Sequence, residues 1–234
     1  MLKAFYKRAK ATLRERTAPS IVRSVRKASL SYLSTAALND LFDHVQMVER
    51  RRMSGILIET GCALGGSAIV MTAAKSKSRP LYVYDVFGMI PEPSEHDGDD
   101  VHRRYAAITS GHSPGIGGNT YYGYEADLFT RVTANFQQLG LPVDNNAVRL
   151  VKGLFQDSLH VEEPVALAHL DGDWYESVMT CLQRIEPHLL PGGVLVIDDY
   201  DHWSGCKAAV DEYFRDKRGN YEFVHRSRLH IVRR

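Results

Sequence analysis

Two short stretches concentrate carboxylates. His169-Leu170-Asp171-Gly172-Asp173 ends the apolar run that begins at Val165, and Asp198-Asp199 directly follows Val194-Leu195-Val196-Ile197. Apolar runs of this length, bounded by turn residues, read as buried strands. In a parallel sheet both carboxyl ends lie on one edge, so the acids converge there. Bare carboxylates packed together repel one another and raise their pKa values unless a cation sits between them. Hard oxygen donors suit Mg²⁺, which keeps several waters and leaves positions open for a substrate. Asp171, Asp198 and Asp199 are therefore the expected metal ligands; two solvated strand-end clusters are the alternative.

A second feature is the turn Glu59-Thr60-Gly61-Cys62-Ala63-Leu64-Gly65-Gly66-Ser67, after the run Ile56-Leu57-Ile58. Gly61, Gly65 and Gly66 allow a tight turn and close approach to a ligand, and the helix that follows presents N–H donors at its start. The spacing is not the G-x-G-x-x-G of pyrophosphate cofactors. Glu59 at the strand end would repel a diphosphate but accept a hydrogen bond from an ammonium or hydroxyl. S-adenosylmethionine, with an ammonium, a sulfonium and no phosphate, fits that chemistry; a purely structural strand-to-helix turn is the alternative. Asp85 ends the run Leu81-Tyr82-Val83-Tyr84 and is placed to accept from ribose hydroxyls. In Lys152-Gly153-Leu154-Phe155-Gln156-Asp157, Gly153 gives access, Phe155 offers a stacking face for a base, and Asp157 an acceptor for an exocyclic amine. Thr60, Gln156 and Asp171 complete the expected co-substrate set.

The elements that must position these residues alternate. Strand-like runs at 56–58, 81–85, 148–151, 165–170 and 194–197 are separated by helical stretches at 68–74, 128–139 and 174–189, with another at 206–214. That order predicts a parallel sheet covered on both faces. Tyr221–His225 and Leu229–Val232 predict a closing antiparallel hairpin. Ser34 or Thr35 caps a helix running through Val48. Residues 88–125, rich in Pro, Gly, His and Tyr with a short helix near 100–108, read as a lid over the acceptor, an ordered oligomer-contact loop being the alternative. Asp173 is the first candidate for a general base, and His112 on the lid the second.

Composition narrows the class. Hydrophobic residues make up 44% and charged residues 24% of 234, with net charge +1, which gives no bias toward nucleic acid. No apolar run approaches the roughly 20 residues that span a bilayer. Cys62, Cys181 and Cys206 show neither disulfide nor zinc spacing, so a reducing cytoplasm is expected. Between Met1 and Leu30 there are nine Lys or Arg against one acid, Glu15, with Leu2, Phe5, Tyr6, Ala9 and Leu13 near helical spacing. This apolar face points to a homodimer.

The motifs E-T-G-C-A-L-G-G-S, Y-D-V-F-G-M-I-P-E-P, K-G-L-F-Q-D-S-L, L-D-G-D-W-Y-E-S, P-G-G-V-L-V-I-D-D-Y and W-S-G-C-K-A-A-V-D-E-Y-F occur in this order. Together they resemble the macrocin O-methyltransferase family, metal-dependent class I methyltransferases acting on sugars. The resemblance, from about 54 to 234, implies a Rossmann-like α/β three-layer sandwich with a mostly parallel seven-stranded sheet behind an N-terminal helical extension, 1–53. It implies S-adenosylmethionine at Glu59, Gly61, Ser67, Asp85, Gly153 and Asp157, and a divalent ion at Asp171, Asp198 and Asp199. The lid composition departs from antibiotic-tailoring members, leaving a polysaccharide or glycolipid sugar such as a mannoside beside a macrolide sugar as acceptor. Two rivals are a non-catalytic sugar-binding protein on the same fold and a nicotinamide oxidoreductase, which should carry G-x-G-x-x-G.

Overall fold

The central apolar runs are buried on both faces, as a helix-covered parallel sheet requires. The structure is a computed structural model that describes residues 18–234. Seven strands form one sheet: β1 (Ile56–Thr60), β2 (Leu81–Asp85), β3 (Val148–Lys152), β4 (Val165–Leu170), β5 (Leu189–Ile197), β6 (Tyr221–His225) and β7 (Leu229–Arg233). Their order is β3-β2-β1-β4-β5-β7-β6. β1 to β5 run parallel, β7 is antiparallel to β5, and β6 to β7, giving the expected terminal hairpin. Strand order reverses direction between β1 and β4, so the ligand crevice belongs at their carboxyl ends.

The helices are α1 (Ser20–Lys27), α2 (Thr35–Arg50), α3 (Gly66–Ala74), α4 (Asp99–Thr109), α5 (Leu128–Gln138), α6 (Phe155–Ser158), α7 (Tyr175–Ile185) and α8 (Ser204–Tyr213). One face of the sheet is covered by α1, α2, α3 and α5 through Val22, Leu38, Ile69 and Phe136. The other is covered by α7 and α8 through Val178, Leu182, Val210 and Phe214. Ser34 caps α2, accepting from the Ala37 N–H at 3.2 Å. The helix ends at Arg50, where Arg79 crosses its end and donates to Glu49, Gly55 O and Met53 O.

The described part of the N-terminal extension shares the core of the sheet. Val22 and Val25 of α1 are buried, and Arg26 donates to the Ser31 and Leu33 carbonyls, fixing the loop between α1 and α2. Leu30 O then accepts the Gly66 N–H at 3.1 Å. The basic apolar face through Leu13, and the homodimer expected on it, lie outside the described residues.

Glu59, His169, Val196 and His230 stand in register across β1, β4, β5 and β7. They lie on the face beneath α2, from which His44 reaches His230, Nε2 to Nδ1, at 2.7 Å. Burial holds both rings near pKa 4; for His44 the Arg226 charge adds to this, for His230 the neighbouring His44, with Asp40 opposing in each case. An unfolded histidine takes its proton near pH 6.5. Between about pH 6.5 and 4 the unfolded chain therefore binds more protons, and stability falls as pH drops through that window. Thermal or urea melts from pH 7.5 to 4.5 should show a loss on the order of 2 kcal/mol from this pair. His44→Gln should melt with a visibly shallower pH slope than the parent.

Candidate active site

The site is built by register. Thr60 pairs with Leu170, and Leu170 with Ile197. The backbone ladder continues one residue past each strand: Asp171 N–H donates to Thr60 O, Asp198 N–H to Leu170 O, and Gly61 N–H to Tyr84 O, at 2.8 to 2.9 Å. Asp85, Gly61, Asp171 and Asp198 thus line up side by side along the carboxyl edge, and Arg228, just before β7, closes the row. Gly61, in the middle, has φ +81°, and a Cβ there would collide with the Asp171 carbonyl oxygen. The space a side chain would need, between two acids, is taken by the Asp171 backbone.

The acids gather in two overlapping groups, neither of them the expected trio of Asp171, Asp198 and Asp199. Asp171, Asp173 and Asp199 each place a carboxylate oxygen within 4.8 Å of the others, and a His169 ring nitrogen lies equally near carboxylate oxygens of Asp171 and Asp198. Asp171 belongs to both groups, so it links Asp198 to Asp199. Burial, then the charges of neighbouring acids, pushes Asp171 and Asp199 well above the usual carboxylate range, and Asp173 up to about 7. Asp198 goes the other way. Burial raises it, but hydrogen bonds and charge from His169 and Arg228 prevail and hold it low. Arg228 Nε donates to Asp198 Oδ1 at 2.7 Å. Asp199 Oδ2 is buried with no hydrogen-bond partner. Clustered oxygen donors of raised pKa, one of them orphaned, fit a hard divalent cation.

Two cavities open on this edge. The smaller encloses about 490 Å³ and is lined by Gly61, Asp85, Phe155, Gln156, Asp171 and Asp173, among others. The larger, about 970 Å³, takes in all four acids with Tyr32, Arg104, Tyr121, Trp174 and Trp203. Gly61, Asp85, Ile90, Tyr122, Asp171 and Asp173 line both.

Of the expected co-substrate residues, Gly61, Asp85, Phe155, Gln156 and Asp171 line the smaller cavity. Asp85 also holds the glycine turn itself: its carboxylate accepts from the N–H groups of Cys62, Ala63 and Phe87. Others are corrected by the geometry. Glu59 is fully buried and points into the sheet face beneath α2, where Oε1 bonds His169 Nδ1 at 2.9 Å. Successive strand residues alternate sides, so Thr60, also buried, points to the opposite helix layer. Gly65 packs against Val132 and Phe136, and Ser67 is buried in the first turn of α3. The α3 N-terminus is not open to a ligand, since Leu30 O takes the Gly66 N–H. Gly153 continues the ladder, donating to Asp85 O, and Asp157 is exposed on α6, outside both cavities.

His112 is also corrected. Its ring is exposed, Nδ1 pairs with Ser110 Oγ at 2.9 Å, and it lines neither cavity. Asp173 lines both, at φ +53°, with Oδ1 accepting from Trp203 Nε1 at 3.0 Å. The 88–125 segment does cover the larger cavity, with Arg104, Ile108, Tyr121 and Tyr122 facing it. It is tied down at several points. Trp174 Nε1 donates to Pro91 O, Asp97 accepts the Tyr175 N–H, Asp100 accepts the Ser204 N–H at the start of α8, and Tyr124 Oη donates to Ile108 O. Tyr32, Arg104 and Arg228 were not anticipated. Trp174 and Trp203 sat within quoted motifs, but Tyr32 carried no local signal.

The strand order with its antiparallel end, and the cavities along the edge at the β1/β4 reversal, define a class I methyltransferase fold. The solved structure of the O-methyltransferase NovP matches at TM-score 0.72 and 27% identity, covering 87% of this chain and 82% of that one. A family model described as macrocin-O-methyltransferase (TylF) matches residues 6–226, and the chain belongs to that family. An 8-demethyl-8-(2,3-dimethoxy-alpha-L-rhamnosyl)-tetracenomycin-C 4'-O-methyltransferase of Streptomyces olivaceus is 34% identical, the match covering 79% of this chain and 66% of that protein. The mycinamicin III 3''-O-methyltransferase of Micromonospora griseorubida is 32% identical over 78% of this chain and 68% of its own length. The chain thus spans about two thirds of the curated relatives it matches.

Gly61→Ala tests the close approach of Gly61 to the Asp171 backbone. The added methyl must displace the Asp171 backbone and adopt a left-handed φ, so a loss of about 2 kcal/mol or more is expected by urea unfolding. Calorimetry on the folded fraction should show weakened S-adenosylhomocysteine binding.

Proposed function

We propose that this chain is an S-adenosylmethionine-dependent O-methyltransferase whose acceptor is a sugar hydroxyl, with Mg²⁺ held by Asp171, Asp198 and Asp199. One observation carries the reading: two adjoining cavities share Gly61, Asp85, Asp171 and Asp173. The smaller, lined by Gly61, Asp85 and Phe155, suits an amino-acid nucleoside. The larger, walled by Tyr32, Tyr121, Trp174 and Trp203 with carboxylates at its floor, suits a ring that has apolar C–H faces and hydroxyl edges. The tetracenomycin relative, an O-methyltransferase whose name carries a rhamnosyl group, supports that acceptor class.

When bound, Mg²⁺ would supply Lewis-acid chemistry that lowers the pKa of a hydroxyl and neutralises the acids. The chain's own residues do the rest. Trp174 and Trp203, edge to face at 5.8 Å, orient the acceptor ring toward the shared wall. Asp173, steered by Trp203, takes the hydroxyl proton while the acceptor oxygen takes the methyl group from the sulfonium, whose S–C bond breaks to leave the thioether S-adenosylhomocysteine. The tied-down lid excludes water from the junction. A homodimer acting in the cytoplasm, without nucleic acid, completes the reading. Three buried free cysteines fit a reducing compartment, and no helix among the described residues is long and apolar enough to cross a membrane.

S-adenosylhomocysteine should raise the melting temperature, and a chelator should abolish methyl transfer to an accepted sugar while leaving that shift in place. Activity untouched by chelation would refute the metal assignment. Asp171→Asn should lower kcat by ~100-fold or more, because it removes a ligand at the junction of both cavities. Tyr32→Ala should raise the acceptor KM by about 10-fold with the S-adenosylmethionine KM unchanged; the opposite split would place Tyr32 on the wrong side of the site.

A further inference from the structure

The best-defined polar contacts beneath the acids involve two residues that reach neither cavity. Glu59 and His169 are both 0% exposed. They are lateral neighbours on β1 and β4, so their side chains leave the sheet on the same face and meet, Oε1 to Nδ1, at 2.9 Å. His169 Nε2 lies 3.5 Å from Asp198 Oδ1, the oxygen that Arg228 Nε also approaches at 2.7 Å. Nδ1 carries the ring's hydrogen bond, to Glu59, while Nε2 makes none and faces Asp198 at ion-pair distance. Asp198 Oδ1 thus has the His169 ring beneath it and the Arg228 hydrogen bond on the β7 side, which leaves Oδ2 as the oxygen turned from both.

We propose that Glu59 and His169 form a buried brace that orients Asp198, so that Glu59 acts on the metal side of the site and not on the co-substrate. The inference rests on the metal assignment proposed above. Glu59 fixes the orientation and the Nδ1 proton of His169; His169 in turn fixes the carboxylate plane of Asp198. Both are positioning residues, because neither touches a cavity that could admit substrate. A His169 ring nitrogen lies within 4.8 Å of oxygens of both Asp171 and Asp198, so direct ligation by the ring is the outcome the test must separate from the brace. A carboxylate–histidine pair behind a ligand typically sets metal affinity by 10- to 100-fold.

The test compares the parent protein, Glu59→Gln and His169→Gln. Each is titrated with Mn²⁺, the free ion being followed by electron paramagnetic resonance, and with S-adenosylhomocysteine by calorimetry. The brace predicts Mn²⁺ binding weakened by about 10-fold in Glu59→Gln and up to about 100-fold in His169→Gln, with S-adenosylhomocysteine affinity equal to the parent's in both. Retained homocysteine-nucleoside binding also certifies the fold. If His169→Gln does not fold, the near-isosteric Glu59→Gln carries the test. Parental Mn²⁺ affinity in a variant that binds S-adenosylhomocysteine normally overturns the brace. So does selective loss of S-adenosylhomocysteine binding in Glu59→Gln, which would return Glu59 to the co-substrate. A nitrogen coupling from a directly bound imidazole in the Mn²⁺ spin-echo spectrum would make His169 a ligand and likewise overturn it. If the parent protein itself binds no Mn²⁺, the metal assignment fails first, and the brace with it.

Discussion

The backbone hydrogen-bond ladder does not stop where the strands stop, and everything at the site follows from this. Asp171 N–H reaches Thr60 O, Asp198 N–H reaches Leu170 O, and Gly61 N–H reaches Tyr84 O. Each bond extends a parallel register by one residue, so side chains far apart in sequence are set at the lateral spacing of neighbouring strands, about 4.8 Å. At that spacing, acids from β4 and β5 cannot avoid one another. The single position in the row without a side chain is Gly61, and the Asp171 carbonyl occupies the space a Cβ would need.

Placing four carboxylates at one edge has an electrostatic cost that the fold distributes unequally. Asp198 is kept ionised by a histidine and an arginine, whereas burial and mutual repulsion push Asp171, Asp173 and Asp199 toward their protonated forms. Such an arrangement is balanced by added positive charge and strained without it. Local backbone strain clusters at the same place. Ala63, Phe87 and Asp173, the residues that turn the chain just past β1, β2 and β4, all have left-handed φ near +50°. Asp85 accepts three backbone N–H groups and holds two of those turns in position.

The wall of the larger cavity, the proposed acceptor side, comes from parts of the chain outside the sheet. The lid contributes Arg104, Ile108, Tyr121 and Tyr122, and the loop after α1 contributes Tyr32, about half exposed at 47%. Both are anchored to helix starts, the lid at α7 and α8 through Asp97 and Asp100, the α1 loop at α3 through Leu30. The N-terminal segment is therefore part of the site as well as part of the core. Variation in the lid and this loop can change the acceptor without disturbing the acid row, because none of their residues lies in the ladder.

Much of this was legible in the residues alone. Strand-like runs of three to six residues, four of them ending at an acid, located five parallel strands, and the final alternating pair located the hairpin. Because strand ends in a parallel sheet share an edge, the gathering of acids from β4 and β5 followed from local pattern plus one topological rule, but not the two groups, with His169 and Asp173, into which they fall. Nor did the direction in which each side chain leaves its strand. Glu59 sits two residues before Gly61, yet alternation turns it beneath the sheet to His169, while Asp85, at a similar strand end, faces the crevice. Whether His112 reaches the acids depends on how thirty-odd lid residues fold, which no periodicity encodes, and it does not. Tyr32, Arg104 and Arg228 join the site only through tertiary contacts, with Tyr122, Tyr121 and Asp198 respectively. Composition and spacing thus determined the elements and the chemistry they carry; packing alone decided which acids face a ligand and which hold the others in place.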